Sequence, residues 1–219
     1  MQPRPLHERF MEATAEERHC RASRRGFLAG SARLAGAGAV ALAVAGGTGF
    51  RRFASAQELA SDLDVLNYAL TLEHLEATFY RVGLETFGPD DFDVDVFANL
   101  EAIRDHEAAH VATLTDVITQ LGGAAVEEAE YDFGYGDDAA AFLAVAQALE
   151  NTGVQAYDGA GQFLADPALL TAAGGIVAVE ARHASYLNDL NGDVPFPAAF
   201  ETPLTPEEVL KIATPFIVQ

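Results

Sequence analysis

The stretch Leu72-Glu73-His74-Leu75-Glu76-Ala77-Thr78-Phe79-Tyr80 decides how this chain is read, because Glu73 falls where an amphipathic helix should carry an apolar side chain. Upstream, Leu63, Leu66 and Leu70 recur three or four residues apart, and downstream Ala77 and Tyr80 stay on the same stripe. Ser61 is a suitable N-cap and Gly88-Pro89-Asp90-Asp91 a stop, so the spacing predicts a first helix over roughly residues 58–85.

The same intrusion occurs three more times. A second helix of about residues 94–121 aligns Leu100, Ile103, Glu107, His110, Leu114, Val117 and Leu121 ahead of Gly122-Gly123. A third, about 138–165, with Asp137 as cap and Asp166-Pro167 as stop, aligns Leu143, Ala146, Glu150, Gly153, Tyr157, Ala160 and Leu164. A fourth, about 168–191, aligns Leu169, Ala173, Ile176, Glu180, His183, Leu187 and Leu190 and stops at Asn191-Gly192. Gly174-Gly175 should loosen or kink it, since each glycine costs about 1 kcal/mol relative to alanine.

Between the second and third helices, residues 124–137 carry no helical period. Some 15 residues at about 3.3 Å each are enough to run the length of a bundle. Two short-linked helix pairs joined by one long crossover therefore predict an all-α fold, a four-helix bundle with its crossover between helices 2 and 3. From Asp193 the chain holds Pro195, Pro197, Pro203, Pro206 and Pro215, which predicts an extended tail over 193–219 packed on the bundle through Phe196, Phe200 and Phe216. One short helix signal interrupts it, with Thr205 as N-cap, Pro206 at the first helical position and Glu208 closing a capping box.

Glu73, Glu107, Glu150 and Glu180 sit on core stripes, so the fold takes four carboxylates out of water. Each costs several kcal/mol uncompensated, against a total stability of about 5–15 kcal/mol. Only Arg81, Arg104, Arg182 and Lys211 follow the leader, too few and mostly off the stripes to serve four sites. Two divalent ions would balance four ionised glutamates with His110 and His183 neutral. Glu107-x-x-His110 and Glu180-x-x-His183 each put both ligands on one helical face, and the order Glu, Glu-x-x-His, Glu, Glu-x-x-His is the ligand set of di-iron and di-manganese carboxylate bundles. Glu73 and Glu150 are each followed seven residues later by a tyrosine, Tyr80 and Tyr157, two turns along the same face. A phenol there orients a ligand carboxylate, takes part in redox chemistry, or is a core aromatic with a satisfied hydroxyl. Glu76 and Gln147 are candidates for an outer position or a variable ligand, whereas His74 and His106 read as surface or hydrogen-bonded histidines.

Residues 1–56 differ in kind: they hold nine of the 13 Lys and Arg and only four of the 33 acids. Ser23-Arg24-Arg25-Gly26-Phe27-Leu28, the apolar run Leu34 to Ala45 and Ala54-Ser55-Ala56 stand in the order of an export signal. The paired arginines resemble a twin-arginine signal, which implies export of an already folded, metal-loaded protein to the periplasm, cell envelope or extracellular space after cleavage at Ala56. Leu34 to Ala45 is too short to span a bilayer, so no stable membrane insertion is expected after cleavage. The one cysteine, Cys20, lies in this leader, leaving the domain at 57–192 without thiolate or disulfide. The remainder carries 29 acids against four bases, a formal charge of about −25, which repels nucleic acid and anionic lipid.

The six ligand positions, the Leu-Glu-x-Leu-Glu-x-x-Phe-Tyr string and the crossover make the region from about Leu63 to Leu190 resemble the ferritin-like superfamily. It is most similar to exported ferritin-like proteins akin to plant desiccation-related proteins, and more distantly to rubrerythrin and manganese catalase. The resemblance implies a pair of iron or manganese ions on Glu73, Glu107, His110, Glu150, Glu180 and His183, and small oxygen species or metal ions as partners. It also implies oxidoreductase chemistry of peroxidase, ferroxidase or catalase type, a metal-binding stress protein being the non-catalytic alternative, and homo-oligomers forming through bundle faces. Rubrerythrin's cysteine-bound iron domain is absent, and no obvious fifth helix supports a ferritin-type cage.

Overall fold

The computed structural model describes residues 59–218. The leader, Cys20 and the expected cleavage point lie outside the described residues. Four long helices follow: α1 (Asp62–Thr86), α2 (Val96–Gln120), α3 (Ala139–Ala160) and α4 (Pro167–Leu190), with a short α5 (Pro206–Ala213) in the tail. α1 packs on α2 and α3 on α4, and residues 121–138 cross from one pair to the other. Among the described residues the only β pairing is an isolated antiparallel bridge between Tyr131 and Ile217, and no helix is long and apolar enough to cross a membrane.

Caps set the helix starts. Ser61 accepts from the Asp64 amide at 3.3 Å and opens α1. At α3 the cap is Asp138 rather than the expected Asp137, because its carboxylate reaches the amides of Ala140 and Ala141 at 2.9 and 3.1 Å. Asp166 caps α4 ahead of Pro167, while Asp62 on α1 accepts from the amides of Ala165 and Asp166 and so ties the α3–α4 link to the start of the bundle.

Two expectations about the helices need correction, the end of α3 and the burial of Leu121. α3 ends at Ala160, not near 165, and tightens into a 3₁₀ turn over Gly161–Phe163. The tail lies against that end: a Cβ at Gly159 would stand 1.8 Å from the Leu204 carbonyl oxygen, so only glycine admits the approach that lets the Leu204 amide donate to Gln155 O at 3.0 Å. α4 continues as one helix through Gly174-Gly175, which face open space, while Ile176 packs in the core, so the two glycines do not end it. Leu121 is exposed, because the helix has ended and Gly122 has turned left-handed.

α1 is buried on nearly every side, more than one apolar stripe would require. The reason is the crossover, which runs along its outer face. Val126 donates to Asn67 Oδ1 at 2.8 Å, the Val126 carbonyl meets His74 Nε2 at 3.2 Å, and Glu128 accepts from Thr78 at 2.7 Å and pairs with Arg81 at 2.7 Å. Phe79 stacks on Phe142 at 4.7 Å and meets Tyr80, Phe133 and Tyr135 edge-on, forming an aromatic cluster at one end of the core. Aliphatic side chains, Leu66, Leu70, Leu114, Ile118 and Ile176, fill the other end.

The tail is held by the Thr205–Glu208 capping box of α5, by buried Val209 and Ala213, and by backbone bonds from Val218 N to Glu130 O (2.9 Å) and from Asp132 N to Phe216 O (2.8 Å). Full burial of a valine contributes about 1.5–3 kcal/mol. Phe216 packs near Phe133, Phe196 is 78 % exposed, and α5 packs on α3. Ala198–Thr202, which falls in a separate compact unit, runs as bends and coil.

Candidate metal centre

Each long helix brings one glutamate to the bundle axis, and Glu73, Glu107, Glu150 and Glu180 are all fully buried. His110 and His183, one turn after Glu107 and Glu180, point to the same place. His110 Nδ1 lies 3.2 Å from Glu73 Oε2, 3.3 Å from Glu107 Oε2 and 3.0 Å from Glu180 Oε1. His183 Nδ1 lies 3.1 Å from Glu107 Oε1 and 3.3 Å from Glu150 Oε2. Two nests result, Glu73–Glu107–His110–Glu180 and Glu107–Glu150–Glu180–His183, each with one ligand atom per residue gathered within 4.8 Å. Glu107 and Glu180 belong to both, so each has the placement of a bridge, and Glu73 and Glu150 that of terminal groups.

Most of these close approaches are not hydrogen bonds. Glu73 Oε2, Glu107 Oε1, Glu150 Oε2, both Glu180 carboxylate oxygens and His183 Nδ1 are buried with no hydrogen-bond partner. Natural interiors leave few such atoms, and each normally has an explanation. Lone pairs from carboxylate and imidazole converging on one closed space fit a hard or borderline cation.

The tyrosines are placed crosswise. Tyr80, on the helix of Glu73, donates to Glu150 Oε1 at 2.7 Å, and Tyr157, on the helix of Glu150, donates to Glu73 Oε1. The spacing of seven puts each tyrosine level with the other helix's glutamate because α1 and α3 pass in opposite directions. Each phenol fixes one oxygen of a terminal carboxylate and leaves the second facing the nest.

Glu76 is buried at 3 % exposure beside the cluster, though it does not contribute to either nest. It faces Gly153, where a Cβ would stand 2.9 Å from Glu76 Oε1 and 3.4 Å from Glu180 Oε2. Gln147 is not at the centre: its amide donates to Asn188 at 2.9 Å and Asp193 at 2.8 Å, because the turn before Glu150 faces the end of α4. His106 matters more than its surface position suggested. Its ring stacks on His183 with centroids 5.2 Å apart, and its Nδ1 lies 2.9 Å from His183 Nε2, an outer partner that fixes which imidazole nitrogen faces the nest. The only sequence signal was its adjacency to Glu107.

The charges are strongly perturbed. Burial, then repulsion from neighbouring carboxylates, pushes Glu73, Glu76 and Glu150 well above the usual carboxylate range, despite the His110 contact at Glu73 and the Tyr80 contact at Glu150. Burial also works against ionised Glu107, but His110 and His183 outweigh it and hold the group down at about 2. His110 is pushed up to about 12, since Glu107, Glu180 and Glu73 overcome its desolvation. With protons alone for compensation, the cluster is an acid-rich pocket around a charged imidazolium.

A bundle of two helix pairs, closed by a crossover around a carboxylate and histidine cluster compatible with a di-metal site, defines the class of protein. Residues 61–193 match the ferritin-like domain family, and the chain belongs to it. No match was found among curated proteins.

Proposed function

We propose that this chain is an exported di-metal carboxylate oxidoreductase acting on dioxygen or peroxide, with Fe(II) oxidation as one form of that chemistry. The observation that carries the reading is the set of buried, unpartnered carboxylate and imidazole atoms that converge from four helices. Glu73, Glu107 and Glu180 with His110, and Glu107, Glu150 and Glu180 with His183, would hold two iron or two manganese ions. Such ions, when bound, supply Lewis acidity and electrons for a small oxygen ligand.

The chain's own part is to orient and to exclude. Tyr80 and Tyr157 lock the outer oxygens of Glu150 and Glu73, so the terminal carboxylates present one oxygen each without rearrangement. His106 holds His183 by its far nitrogen. Glu76 offers a further carboxylate at the rim, suited to holding a proton beside the centre. The arginine pair and apolar run of the leader support export, and a metal inserted before export needs no carrier outside.

A manganese pair that disproportionates peroxide is a second reading, favoured by the lack of any cysteine after Cys20 to serve an electron-entry site. Metal analysis of protein isolated from its own compartment, with peroxide and Fe(II) turnover beside a Glu107→Ala variant, tests both. Two manganese with oxygen release supports the second reading and two iron with Fe(II) oxidation the first. Turnover no faster than that of Glu107→Ala refutes both.

A further inference from the structure

The acids of this chain are spread unevenly. From residue 57 onward there are 29 acids against four bases, yet between Pro167 and Asn188 the only acid is Glu180, and between His106 and Thr115 the only acid is Glu107. Both are fully buried in the cluster, so the exposed residues of these two stretches carry no negative charge. The stretches are neighbours: His106 stacks on His183, and Asn99 on α2 donates to the Tyr186 hydroxyl on α4 at 3.2 Å. Their common face exposes His106, Ala109 and Thr113 from α2 and Ala172, Gly175 and Arg182 from α4. Under it lies an apolar cleft of about 90 Å³, with exposed Thr113 and Ala172 among its walls and the Tyr157 ring beside them. We infer that this face binds a second copy of the chain, forming a twofold dimer in which α2 and α4 of one copy lie on α2 and α4 of the other.

Charge selects the face and the partner. Two copies with a formal charge of about −25 each repel wherever their acidic surfaces meet, and here they approach without apposing acids. Depletion of charge is also what marks the core of an interface. The size fits: Pro167 to Asn188 runs about 33 Å, and two adjacent helices are about 20 Å wide, giving about 650 Å² of face per copy against the roughly 800 Å² per partner of a standard interface. A twofold axis pairs a surface with itself, so a face compatible with its own charge suffices. The second copy also covers the cleft mouth at Thr113 and Ala172, which takes the apolar walls beside Tyr157 out of water. This inference stands apart from the oxidoreductase reading.

Two adjacent glycines supply the test. Ala172, Gly175, Val179, Arg182 and Tyr186 follow one another three or four residues apart, so Gly175 lies on the stripe between the cleft and the Asn99 contact, whereas Gly174 lies about 100° round the helix. A Cβ at either meets nothing within 4 Å, so Gly175→Glu and Gly174→Glu should both keep the native helix content by circular dichroism. Sedimentation equilibrium of the full chain should show monomer and dimer, with the dimer tighter at about 1 M than at about 0.1 M salt because screening weakens the repulsion between copies. Gly175→Glu should raise the dissociation constant at least about tenfold by bringing like charges together across the axis, and Gly174→Glu should leave it unchanged. Ala109→Glu, on the α2 side, should act as Gly175→Glu does and serves as the second variant. A chain that stays monomeric at every concentration and salt overturns the dimer. A dimer untouched by Gly175→Glu and Ala109→Glu, or weakened as much by Gly174→Glu, overturns this face.

Discussion

Loading the centre with metal should expel at least one proton per chain at neutral pH, that of His110, with Glu73 and Glu150 adding to the release because burial raises both carboxyls, since a ligand must give up its proton to bind. In the metal-free fold the raised Glu73 and Glu150 hold protons that the unfolded chain releases above a carboxylate's ordinary value of 4.5. His110, raised from 6.5 to about 12, does the same from 6.5 upward, and its stabilisation is complete below 6.5 and lost as pH rises through 12. All three make the metal-free protein less stable as pH rises, because the folded state binds more protons than the unfolded one. Glu107 works oppositely: its contribution is present above 4.5 and disappears as pH falls through about 2. Each proton released makes the overall metal affinity rise about tenfold per pH unit around neutrality. Chelated protein, titrated with Mn(II) or Fe(II) in weakly buffered anaerobic solution under a pH-stat, reports the count directly. Release of fewer than one proton per chain would refute the reasoning, since the carboxylates would then already be ionised and balanced by something other than protons.

Other perturbations test the supporting contacts. His106→Leu should weaken metal binding about 10–100-fold by removing the partner of His183 Nε2, while helix content is unchanged; a competition titration with a chelator measures it, and unaltered affinity would refute the role. Gly153→Ala puts a methyl 2.9 Å from Glu76 Oε1, so the protein should fold with lowered metal occupancy by elemental analysis; full occupancy would show that the Glu76 carboxylate moves freely. Gly159→Ala should cost about 1–3 kcal/mol because its Cβ meets the Leu204 carbonyl at 1.8 Å, and limited proteolysis should then cut the tail before Thr205. Phe142→Ala should cost about 3–5 kcal/mol in chemical denaturation, since its ring stacks on Phe79 inside the fully buried aromatic cluster.

The sequence by itself determined the four helices, their order and the six carboxylate and imidazole residues that converge in the bundle, because the signal for each is local: a 3.6-residue period, a cap, a stop and a carboxylate in an apolar stripe. Glu73, Glu107, Glu150 and Glu180 were legible because burying a charge breaks the pattern of its own helix. Which group serves which ligand was not, since that depends on helices passing one another. The seven-residue spacing placed Tyr80 and Tyr157 near the centre, but the crosswise pairing with Glu150 and Glu73 needed the antiparallel packing of α1 on α3. Gln147 and His106 show the same limit: each lies within one helical turn of a ligand in sequence, yet contacts with α4 turned Gln147 away and brought His106 onto His183.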